Sequence, residues 1–131
     1  MNINKLTLDD AWRLCVLEQW PYIIELLEHD PSLSVHKLKE QWVHDHGYRG
    51  LLDHGCCPFC AYDEQQQVGK YRQWSQCEHC PGKLVDPDFK CNDWRYHFAK
   101  KPFECYEEVK RLYAIYLKPK TWRYIIKNMF K

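Results

Sequence analysis

No run in this chain of 131 residues approaches the roughly 18 consecutive apolar residues that a membrane-spanning helix needs. The best candidate, Trp20 to Leu27, is interrupted by Glu25, so the sequence reads as soluble, with no membrane partner. The first ten residues lack the apolar core of a secretory signal: Met1 to Asp10 hold one lysine, two aspartates and no apolar run. The expected compartment is a reducing cytoplasm, where paired cysteines serve as metal ligands more often than as disulfides. Net charge is almost absent too. At +1 it argues against wholesale electrostatic wrapping of nucleic acid. That total conceals an asymmetry: residues 1–50 carry 5 basic and 8 acidic side chains, residues 51–99 carry 5 and 7, and residues 100–131 carry 9 and 3, which leaves the last segment at +6. Also missing are His-Glu-x-x-His and His-x-Glu, the signatures that would point to a zinc protease or a deaminase.

Two Cys-x2-Cys pairs are present, Cys57-Pro58-Phe59-Cys60 and Cys77-Glu78-His79-Cys80, with sixteen residues between them. Each pair brings two thiolates to one side of a tight turn, and a loop of that length lets the second pair complete a tetrahedron around one zinc ion. Four thiolates leave no open coordination position, so the expected centre is structural and not catalytic. Six cysteines lie between Cys56 and Cys91, two more than one ion needs. Cys57, Cys60, Cys77 and Cys80 have the best spacing, and Cys91 or His79 could replace a member of the second pair. Such a centre is formally doubly negative, and Lys70, Arg72 and Lys83 are near enough in sequence to offset it. His44, His46 and His54 precede the first pair as further candidate ligands or bases, although surface histidines in a turn are the plainer reading. The segment from Ala61 to Gln76 reads as a polar surface excursion.

The flanks read as helical. Thr7 and Asp10 form a capping-box pattern, and Leu8, Trp12, Cys15, Val16, Trp20, Ile23, Ile24 and Leu27 follow at helical spacing. Pro21 interrupts them, predicting two helices or one kinked helix. Ser34 caps a second helix stopped by Gly47, with Val35, Leu38 and Trp42 inward and Lys37, Lys39, Glu40 and Gln41 outward. Pro102 opens another, with Val109, Leu112, Tyr113 and Tyr116 inward and Cys105 in the core; Pro119 is expected to end it and Thr121 to cap a last helix. That last helix has an apolar face and basic residues. Either it docks on the core or it binds a partner through Lys118, Lys120, Trp122, Arg123 and Lys127. The expected fold is a small, mainly α domain over residues 1–131 with little or no β structure. Its parts are N-terminal helices over 1–50, a zinc-binding region over 51–99 and basic C-terminal helices over 100–131.

The series Cys57-Pro58-Phe59-Cys60-Ala61-Tyr62, Cys77-Glu78-His79-Cys80-Pro81, Cys91 and Trp94-Arg95-Tyr96 before a closing helix resembles small zinc-finger proteins encoded by tailed bacteriophages. The similarity spans Trp12 to about Tyr116. Ala61 stands where such proteins often have an acid, and the glycine that commonly follows a cysteine pair in zinc ribbons is absent, which favours a helical, zinc-stapled domain with a helix starting between Cys60 and Glu64. The resemblance implies a non-enzymatic accessory protein in the host cytoplasm that engages a host protein in takeover or anti-defence. Two alternatives stand beside it: a nucleic-acid-binding module using the basic C-terminal end, and a small metal-dependent nuclease using His46 or His54.

Overall fold

The computed structural model describes residues 2–67 and 77–129, with the backbone path alone for 119–129. The protein is mainly helical, and no strand occurs among the described residues. Helix α1 (Leu8–Trp12) starts on the expected box: the Asp10 N–H donates to the Thr7 hydroxyl at 3.0 Å, and the Thr7 N–H donates to the Asp10 carboxylate at 3.4 Å. The chain then widens into a π-helical segment (Arg13–Gln19) before α2 (Trp20–His29). There the Trp20 N–H donates to the Cys15 carbonyl, five residues back. Pro21, which cannot donate, therefore falls in the first turn of α2 and not within a ladder that needs it. The wider turn keeps Leu14, Cys15, Val16 and Gln19 all buried.

Helix α3 (Val35–His46) is capped by Ser34, whose hydroxyl accepts from the Lys37 N–H. It stops at Gly47, whose φ of 71° is a left-handed conformation that costs glycine little. Its inner stripe is wider than the sequence pattern predicts. Val35, Leu38, Trp42 and Val43 are buried, and so is Lys39, at 6% exposure, which the pattern assigned to the solvated face. Positions 35, 38, 39 and 42 share one helical face, and the long lysine stem lies among apolar neighbours there.

A short 3-10 turn (Arg49–His54) leads to α4 (Pro58–Gln66). The expected polar excursion from Ala61 is thus helix up to Gln66, with Ala61 fully buried; residues 68–76 lie outside the described residues. Helix α5 (Pro81–Val85) follows the second cysteine pair, and α6 (Pro102–Met129) is one helix that continues through Pro119. The expected break at Pro119 does not occur. One missing backbone donor is absorbed within a long helix rich in good helix formers such as Leu117 and Lys118.

Trp12 centres the larger core. Its ring is fully buried, meets Phe59 edge-on at 4.8 Å, and stacks against Tyr113 at 5.7 Å and Tyr116 at 5.3 Å. Cys15, Cys105, Val109 and Leu112 are in this core as the helical spacing predicts. A smaller cluster gathers Leu6, Leu14, Trp42, Val43, Leu51 and Ala61, and Tyr22 and Tyr62 pack against both clusters. The result places α4, α5 and the 86–101 loop around one cavity.

Candidate metal centre

Both cysteine pairs stand at helix starts. Cys57 is the N-cap residue of α4 and Cys80 that of α5, each followed by a proline in the first turn, where its missing N–H removes nothing from the ladder. In the second pair the turn is closed by the Cys80 N–H donating to the Cys77 carbonyl at 3.1 Å. Cys77 adopts φ 41° and Cys56 φ 56°, left-handed conformations unusual for residues other than glycine.

Cys57, Cys60, Cys77, Cys80 and Cys91 border one cavity of about 590 Å³, together with Phe59, Asp63, Lys83, Phe89 and Trp94. All four cysteines of the two pairs are therefore brought together, and Cys91, the competitor named from sequence, joins them. As they stand, no group of three or more His, Cys, Asp or Glu side chains among the described residues is arranged to hold a metal ion. His79 does not border the cavity. Its Nδ1 is buried and makes no hydrogen bond among the described residues, while its backbone N–H donates to Asp63.

The sulfurs differ electrically. A hydrogen bond from the Cys60 thiol draws the Cys57 thiol well below its ordinary range, against the upward push of burial, and Lys39 and the first-turn amides of Cys60 and Phe59 add to the effect. Cys60, which supplies that hydrogen bond, is pushed up in return. Burial raises the Cys80 thiol, and the Cys57 charge raises it further, against the Lys83 and Gly82 amides. Cys91 is exposed as a residue, but desolvation of its thiol and the Cys57 charge push it up to about 11. One thiolate thus opposes the formation of others. A divalent cation reverses that order, because a coordinating thiol is deprotonated outright.

Asp63 ties the two pairs together. Buried to 1% exposure on α4, it accepts the His79 N–H at 2.7 Å on Oδ1 and the Gln67 side-chain amide at 3.0 Å on Oδ2. Gln19, also buried, donates to the Cys56 carbonyl at 2.6 Å and so holds the approach to the first pair. Neither residue was a sequence candidate. Asp63 had a usable signal, since it lies three residues after Cys60 on the same helical face.

The remaining candidates lie elsewhere. His46 bonds the Trp42 carbonyl of its own helix at 2.8 Å and stacks against Tyr48, His54 pairs with Glu64, and His44 stands 3.9 Å from Glu40. None of the three borders the cavity. Lys83 does, whereas Lys70 and Arg72 lie outside the described residues. Of the basic C-terminal set, Lys118 is exposed; the side chains of Lys120, Trp122, Arg123 and Lys127 lie outside the described residues. No helix among the described residues is long and apolar enough to cross a membrane. No protein-family model, curated protein or solved structure matches the chain.

Proposed function

We propose that this is a non-enzymatic binding protein whose helical scaffold is stapled by one zinc ion at Cys57, Cys60, Cys77 and Cys80, with Cys91 in reserve at the same cavity. The observation that carries this reading is the convergence of all five cysteines on one cavity from α4, α5 and the 86–101 loop. Coordination by thiolates alone leaves zinc no vacancy for water or substrate, so the ion supplies folding free energy and rigidity. Elemental analysis of reduced, purified protein is expected to give one equivalent of zinc per chain. Far less metal in a fully folded chain refutes the centre.

The partner we propose is a host protein, in keeping with the resemblance to small zinc-finger proteins of tailed bacteriophages. Exposed apolar side chains support a protein partner over a polyanion. Trp94 is 77% exposed, and Leu84, Phe103, Ile115 and Leu117 are also open to solvent. Affinity capture from host lysate with and without nuclease separates the classes. Retention of one defined protein after nuclease treatment supports this reading. Loss with nuclease, or binding that falls steeply with salt, transfers the function to nucleic acid through the basic end of α6.

A further inference from the structure

We propose that two copies of this chain pair about a twofold axis, the basic end of α6 from each lying in an acidic, aromatic-lined groove between α2 and α6 of the other. The inference goes beyond the host-protein reading above and does not depend on the zinc centre.

The groove, of about 840 Å³, runs between the C-terminal part of α2, the first turns of α6 and the loop at Arg95 and Tyr96. Ile24, Tyr96, Phe103 and Tyr106 supply its apolar lining, and Phe103 is exposed. All three cations that line it are already engaged. Lys110 Nζ lies 2.6 Å from Glu107, while Arg95 and Arg111 each donate through Nε and Nη2, to Asp93 and Glu108 respectively. Glu28 and Glu104 line the same groove, are exposed, and make no ion pair or hydrogen bond among the described residues. Two open carboxylates beside apolar surface suit a guest of one kind: an apolar helix face flanked by lysine or arginine.

The end of α6 has that composition. Cys105, Val109 and Leu112 form the stripe that buries the first half of the helix. Counted along the same continuous helix, that stripe passes through Tyr116 into Lys120, Arg123 and Lys127, whereas Ile115, Trp122, Ile126 and Met129 recur at i, i+7, i+11 and i+14 about a third of a turn away. The apolar stripe thus changes side along α6. Positions that continue the core-packing side are basic, and a second stripe begins at the exposed Ile115.

This end cannot reach the groove of its own chain. The groove is lined by residues 103–111 of the same helix, and Arg123 lies roughly 24 Å further along the axis from Glu107. A second copy meets no such bar. Two α6 helices laid antiparallel and crossing near Ile115 set the groove turns of each beside the basic turns of the other, because residues 103–111 and 118–127 lie at nearly equal distances from that position. The two contacts are then identical, and the pair closes on itself.

A charge swap, read by analytical ultracentrifugation of the full-length protein, tests the pairing. Wild type is expected to dimerise, with Kd weakening several-fold as salt rises, since exposed charges are screened. Glu28→Lys with Glu104→Lys and, in a separate protein, Lys120→Glu with Arg123→Glu and Lys127→Glu should each weaken the dimer by about 10-fold or more, because each sets like charges together. Mixed in equal amounts, the two variants should form a heterodimer of near wild-type affinity, since the reversed groove of one meets the reversed helix end of the other. Wild type that stays monomeric up to about 100 μM overturns the proposal and passes the groove to a basic segment of a different protein. A dimer that neither variant weakens overturns it too, as do two variants that fail to associate when mixed. If either multiple variant does not fold by circular dichroism, Glu104→Lys and Lys127→Glu carry the same comparison. Zinc content followed in the same samples is expected to be equal in every variant, so loss of the dimer and loss of the metal are read apart.

Discussion

Replacing Asp63 by alanine tests how the two halves of the cysteine centre are joined. The Asp63 carboxylate is buried, and its two oxygens accept from the His79 backbone N–H and the Gln67 side chain. Alanine leaves the His79 amide, which sits inside the second Cys-x2-Cys turn, without its acceptor. A hydrogen bond to a charged group contributes about 1.5–3 kcal/mol, and orphaning a buried donor forfeits about 1–3 kcal/mol of the same interaction. A net loss of about 2–3 kcal/mol follows, which for a chain of this size lowers Tm by roughly 6–10 °C. Asparagine keeps one acceptor oxygen of similar reach, so Asp63→Asn should fall between wild type and Asp63→Ala. Differential scanning calorimetry of the metal-loaded proteins measures both, with zinc stoichiometry followed in parallel. Asp63→Ala melting within about 2 °C of wild type, with zinc fully retained, would show that the clamp is not what aligns the second pair.

Single changes Cys57→Ser, Cys60→Ser, Cys77→Ser and Cys80→Ser should each lower bound zinc and thermal stability, because metal-binding free energy is folding free energy at such sites; Cys15→Ser and Cys105→Ser, in the helical core, should leave zinc content unchanged. If Cys91→Ser empties the centre while Cys77→Ser or Cys80→Ser does not, Cys91 is the fourth ligand. Gly82→Ala should destabilise by about 1–3 kcal/mol through overpacking, since its new methyl would lie 2.4 Å from Cδ1 of the buried Phe89 ring, itself stacked on Tyr96; an unchanged denaturation midpoint in urea would contradict that account.

Local signals were the most legible part of the fold. Thr7, Ser34 and Gly47 act as the caps that their side chains and positions imply, because a cap depends on three or four neighbouring residues. The two prolines were harder to read. Pro21 is accommodated by a π segment and Pro119 by simple continuation of α6, and both outcomes depend on what surrounds the helix as much as on the proline. Lys39 shows the limit of reading charge as surface. Its charge assigned it to the solvated face, and only the fold reveals that it is buried, with its ammonium over the Trp20 and Phe98 rings. The spacing of the two cysteine pairs singled out residues that the fold brings to the border of one cavity. The roles of Asp63 and Gln19 were not legible there, since their partners, His79 and Cys56, lie 16 and 37 residues away.

The burial of Trp12 bears on how the chain emerges from the ribosome. Its stacking partners Tyr113 and Tyr116 sit on α6, and the Tyr116 hydroxyl donates to Asp9 across 107 residues of sequence. The indole face stays uncovered through most of synthesis, a window in which a half-made chain is adhesive. Nascent polypeptides stalled before residue 113 should therefore be the species that chaperones capture, and a premature stop there should yield insoluble product even with every cysteine in place.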